Sequence, residues 1–173
     1  MKLSITLLFF FISFNLSAQS TDSAMQVRVI KQANEMAQLL LKKEYKGFTF
    51  YTYAPIIKIM GGKEKMVTTL EKSFKQLEDG GISFTNVYAN NCSAIIQTST
   101  QLQCTLDEVI EMKHPQGKLI QKSALIGVSS DKGVTWKFID THGASLQELQ
   151  KTLKELSNKL VIPAKTQPTL VPN

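Results

Sequence analysis

The sequence predicts an α+β domain, with N-terminal helices packed on an antiparallel sheet and a further helix at the C-terminal end. Three observations carry this. Apolar residues recur at helical spacing through Ile30, Ala33, Ala37, Leu40 and Leu41, and again through Met66, Val67, Leu70, Phe74 and Leu77. From Ile82 the period changes to two and persists to Thr141. Beyond that point Leu146, Leu149, Leu153, Leu156 and Leu160 form one apolar seam.

The first residues have the layout of a secretory leader. Met1-Lys2 is followed by the apolar run Leu3–Phe14 and by Leu16-Ser17-Ala18. The run is shorter than the roughly 20 residues a membrane-spanning helix needs. Residues 1–18 are therefore expected to be a signal peptide. The mature chain is expected in the periplasm or outside the cell, with no membrane span. Residues 19–162 suit one domain, and Pro163, Pro168 and Pro172 mark 163–173 as an extended tail.

Within the domain, Ser23-Ala24-Met25-Gln26 matches a capping box and sets a first helix over about 24–45. Lys42, Lys43 and Lys46 suit its C-terminus, and Gly47 suits a left-handed cap. The aromatic stretch Phe48–Tyr53 and Pro55 lead to a short apolar strand, Ile56–Met60. Gly61-Gly62 breaks it before the second helix, which Gly80-Gly81 closes. Residues 82–88, 94–98, 102–112, 119–129 and 134–141 read as strands. His114-Pro115-Gln116-Gly117-Lys118 has the Pro and Gly of a tight hairpin turn. Ser145-Leu146-Gln147-Glu148 caps the last helix, whose seam suits docking on the domain or pairing in a homodimer.

Charge excludes one function class. The formal net charge is +6, yet the basic residues are scattered lysines and Arg28 is the only arginine. Nucleic-acid readers cluster both types on one face and use arginine on base edges, so no nucleic-acid partner is expected. Cys92 and Cys104 stand twelve residues apart, suiting a disulfide across neighbouring strands in an oxidising compartment. Such a loop contributes roughly 3 kcal/mol. His114 and His142 lie at no metal-ligand spacing from them, so neither a metal nor another cofactor is expected.

The order of helix, short strand, helix led by Gly61-Gly62-Lys63-Glu64-Lys65-Met66 and long meander resembles the nuclear-transport-factor-two-like superfamily, which includes ketosteroid isomerase and scytalone dehydratase. Ser129-x-Asp131-x-Gly133-x-x-Trp136-x-Phe138-Ile139-Asp140 is similar to an exported branch of it. The resemblance spans about residues 24–141. It implies a strongly curved sheet wrapped around the helices as a cone, with a pocket at the open end. No catalytic motif of ketosteroid isomerase maps onto these positions. A cystatin-like or lipocalin-like fold is the alternative, though a lipocalin needs eight strands.

Ser129–Trp136 also fits the Asp box of sialidase propellers. A propeller needs several blades of about 40 residues and a sialidase needs an arginine cluster, so the box reads as a hairpin turn. Downstream, Trp136, Phe138, Asp140 and His142 share a face if the strand stays regular. Trp136 and Phe138, with Tyr51 and Tyr53, are candidate ligand contacts. Asp140 and His142 are candidate acid–base groups, because a carboxyl beside apolar rings and a half-buried imidazole suit proton transfer. The function expected is non-catalytic binding of a small apolar ligand or a protein partner in the cone pocket. A small proton-transfer or hydrolytic enzyme using Asp140, His142 and the tyrosines is the alternative.

Overall fold

The computed structural model describes residues 16–164 and 166–172. Most of the expected leader, residues 1–15, lies outside them. Four helices come first: α1 (Leu16–Leu41), α2 (Tyr45–Tyr51), α3 (Ala54–Ile59) and α4 (Lys63–Asp79). Strands β1 (Ser83–Asn90), β2 (Ile96–Gln97), β3 (Leu102–His114), β4 (Gly117–Ser129) and β5 (Lys137–Asp140) follow, then α5 (Leu146–Gln150) and β6 (Thr169–Pro172). The α+β class stands, as helices with a six-stranded antiparallel sheet.

Four local expectations are corrected. Ser23 does not start a helix, because α1 already runs from Leu16. The first helix ends early at a left-handed Lys43 (φ 59°), where the Glu44 amide donates to Leu39 O at 2.8 Å. Gly47 instead sits inside α2, and a Cβ there would lie 3.1 Å from Leu39 Cδ2, so its role is the close approach of α2 to α1. The aromatic stretch is thus mostly helical, and Ile56–Ile59 belong to α3 rather than to a strand. Pro55 lies in the first turn of α3, where its missing N–H is not needed. A five-residue apolar run cannot by itself tell strand from helix.

Strands β3 and β4 form a two-residue hairpin whose register runs unbroken from His114↔Gly117 to Leu102↔Ser129. Alternation then assigns the faces. Cys104, Leu106, Leu125 and Phe138 point to one side and pack with Val29, Ala33 and Met36 of α1 and with Trp136. Gly127 makes that approach feasible: a Cβ there would lie 3.0 Å from Val29 Cγ2 and 3.3 Å from the Trp136 ring. Ile126, Val128 and Ile139 point to the other side and pack with Tyr53, Leu153, Leu156 and Leu160. Both faces of the sheet are therefore covered.

The expected C-terminal helix is only five residues long. The Ser145–Glu148 capping box is formed, with the Ser145 amide donating to Glu148 Oε2 at 2.7 Å. Past Gln150, side chains take the backbone groups a helix would use. Buried Gln103 donates to Glu155 O (2.9 Å) and accepts from the Ser157 amide (2.8 Å), while Gln150 donates to Leu156 O (2.8 Å). Leu153, Leu156 and Leu160 still bury, at 2–4% exposure, on their own domain. The tail is not free either, since β6 pairs with the Gly117–Ile120 end of β4. No helix among the described residues is long and apolar enough to cross a membrane.

The Asp-box residues build the turn before β5. Asp131 accepts from Ser129 Oγ (2.8 Å), from the Val134 and Thr135 amides (3.2 and 2.9 Å) and from Thr135 Oγ1 (2.6 Å). Desolvation opposes its charge, but these donors outweigh it and hold the carboxyl down at about 2. Its folded value is depressed, so its contribution is full above the ordinary 3.8 and is lost as pH falls through about 2. Asp131→Ala is expected to lower stability by about 1–2 kcal/mol at neutral pH. Thermal melts should show this difference shrinking below about pH 3; an unchanged melting temperature at pH 7 would refute the role.

Candidate functional site

The sequence-predicted residues fall into three places. Trp136 and Phe138 are 0% and 2% exposed, inside the core cluster beneath α1. Tyr51 and Tyr53 follow one another along the chain but turn their hydroxyls apart. Tyr51 donates to Glu35 Oε2 (2.9 Å) and Tyr53 to Glu155 Oε1 (2.9 Å). Burial raises both phenols. Glu35 adds to the rise at Tyr51; at Tyr53 the Gln101 contact opposes it and Glu155 adds to it. Asp140 and His142 do come together, with His142 Nδ1 3.2 Å from Asp140 Oδ2 and the His142 amide donating to Asp140 Oδ1 at 2.8 Å. The His142 imidazole is 85% exposed, because the strand stops at Asp140 and His142 adopts φ 49°.

Asp140 has two neighbours on the inner face that sequence reasoning missed. Its Oδ1 accepts from Ser123 Oγ at 3.2 Å. Ser123 pairs in register with Glu108, and Asp140, whose own partner is Leu125, lies diagonal to Ser123 on the same face, so the three form a slanted row across β3, β4 and β5. Glu108 is only 6% exposed, and its Oε2 is buried without a hydrogen-bond partner. Desolvation first, and the nearby Asp140 charge second, push its carboxyl up to about 8. A signal for it was present: Leu102, Cys104, Leu106 and Glu108 share one period-two face, so an acid stands in an apolar row.

Open space lies on the opposite face. A cleft of about 420 Å³ runs between the outer surface of β1, β3 and β4 and Pro163, Ala164 and Thr166, which pass over it. Its floor follows from register. Tyr88 opposes Val109 and Asn90 opposes Asp107, with Lys122 beyond on β4. Asp107 Oδ2 accepts from Asn91 Nδ2 at 3.0 Å. Asn90 Oδ1 is buried and has no partner. An acceptor left so costs about 1–3 kcal/mol, which a ligand donor would recover.

The two thiols also meet, unbonded in this structure. Cys104 is buried and Cys92 half-buried. The hydrogen bond with Cys92, together with burial, pushes the Cys104 thiol far up, while the same bond lowers Cys92 against its own desolvation.

The Glu108 carboxyl gives a pH test. Its folded value is raised above the ordinary 4.5, so the folded chain keeps a proton that the unfolded chain has released. Stability should therefore fall as pH rises from about 4.5 to about 8 and then level off. Glu108→Gln is expected to flatten this fall and to raise the melting temperature at pH 8. Parallel melting curves for the two proteins across that window would refute the assignment.

No protein-family model and no curated protein matches this chain.

Proposed function

We propose that the protein is an exported, non-catalytic binding domain of the nuclear-transport-factor-two-like type, whose small ligand lies in the cleft on the outer face of the sheet. One observation carries this reading: a roughly 420 Å³ cleft whose floor holds a buried amide oxygen, Asn90 Oδ1, with no partner. Tyr88 and Val109 offer an apolar floor beside Asn90, Asp107 and Lys122, so the ligand would combine an apolar face with hydrogen-bond donors. Helices α1 and α2 along one side of a long meander support the cone comparison, although α1 fills the inner face that would form the pocket. In an oxidising compartment Cys92 and Cys104, already in contact, would join as a disulfide.

A second reading keeps the enzyme, on the strength of the Glu108–Ser123–Asp140 row. There Glu108 would be the proton donor and Asp140 the base. The tyrosines do not serve this site, since their hydroxyls are engaged by Glu35 and Glu155.

Native mass spectrometry on protein isolated from its own cells is expected to show a bound small molecule. Asn90→Ala should reduce its occupancy about tenfold, and Asp140→Asn should leave it unchanged. Equal occupancy in wild type and Asn90→Ala, with loss in Asp140→Asn, would transfer the site to the inner face.

A further inference from the structure

We propose that strand β6 exchanges between two copies of the chain, so that Thr169–Pro172 of one copy completes the sheet of the other along β4. The argument begins with the edge that β6 occupies. β4 pairs with β3 along its whole length on one side. On its other side β5 covers only Leu125–Val128, and Gly117–Ile120 are left for β6. An edge of this kind is a template for any extended backbone.

The seat is shaped for this strand. Gly117 has φ +144°, and a Cβ there would lie 2.2 Å from the Val171 carbonyl oxygen and 2.9 Å from Pro172 Cα. A side chain at 117 would expel β6, so the approach depends on its absence.

The strand itself is loosely held. All four of its residues are exposed, including Leu170 at 38% and Val171 at 44%. Its attachment is therefore mainly the backbone ladder, and segments with few buried contacts open at low cost. The preceding anchored residue is Ile162, which packs at the margin of the outer cluster, so β6 can leave without disturbing the leucines packed on the outer face. Between Ile162 and Thr169 the sequence contains Pro163 and Pro168. Prolines stiffen and extend a linker, and six residues reach roughly 20 Å when extended. That span allows the strand to seat on a neighbour rather than on its own chain.

The occupant follows from the same geometry. The sequence that fits beside Gly117 is this chain's own Thr169–Pro172, and a second copy supplies it with an identical set of pairs. Exchange then changes only linker conformation and association entropy, which makes it concentration-dependent.

Mixing two single variants tests this. Lys118→Cys and Val171→Cys alter facing, exposed positions of the ladder. The variants are unfolded together, refolded at high concentration and oxidised, and the linked peptides are mapped. A bond joining position 118 of one chain to position 171 of the other is expected, in a covalent dimer. The double variant Lys118→Cys/Val171→Cys at low concentration should link within one chain. Light scattering of the unaltered protein should show a dimer fraction that rises with concentration and vanishes on truncation after Gln167. The proposal is overturned if the double variant links only within chains while the mixed variants give no 118–171 bond. It is also overturned if truncation leaves the dimer fraction unchanged, or if the double variant fails to link at all.

Discussion

The register of the β3–β4 hairpin is the constraint on which the rest depends. Its two-residue turn at Pro115-Gln116 fixes His114 opposite Gly117, and every later pair follows. Because side chains alternate with period two, a slip of one residue would send Leu106 and Leu125 to the outer face. Ile126 and Val128 would take their place beneath α1. Both faces are covered by unlike partners, α1 within and the C-terminal leucines without, so neither core tolerates the other's residues. The same register places Glu108 beside Ser123, while the separate pairing of β1 with β3 places Asn90 beside Asp107.

Much of this was legible where the pattern is long. The period-two run gave the meander nearly to its ends, and the stripe from Met66 to Leu77 gave α4. Short segments were not legible, because an apolar run such as Ile56–Met60 satisfies both periods. The last helix failed for another reason. Its leucines keep their burial, but Gln103, from a strand fifty residues earlier, takes the Glu155 carbonyl and the Ser157 amide out of the helical ladder. A contact between residues so distant in sequence leaves no trace in local periodicity. Of the candidate site, the Asp140 face was legible from alternation, and Phe138 and Asp140 do share it. Its depth was not, since whether a strand continues past Asp140 depends on the turn at His142.

Gln103 and Glu108 sharpen the contrast. Both are buried polar residues on β3, one on each face. Gln103 is satisfied by Gln101, Glu155 and Ser157, and so serves as a peg for the C-terminal segment. Glu108 has an oxygen without a partner and a carboxylate neighbour in Asp140. A group of that kind weakens the fold unless it stays protonated, and proteins retain such groups chiefly where they do chemistry or bind. The row is therefore the main support for a catalytic alternative, and Glu108 and Ser123 also border the cleft.

Why the space lies outside rather than inside follows from Gly127. With no side chain there, Val29 and Trp136 close over the centre of the inner face, and α1 occupies the volume a cone would leave for a ligand. On the outer face the covering is uneven. Leu153, Leu156 and Leu160 seal the end near Val128, and beyond Leu160 the chain crosses the sheet with small residues, Ala164 and Thr166, towards β6. Small residues over Tyr88 and Val109 cannot fill the gap that leucines fill elsewhere. The cleft thus exists because the cover changes composition along its length, and its roof leads directly into the exposed four-residue strand β6.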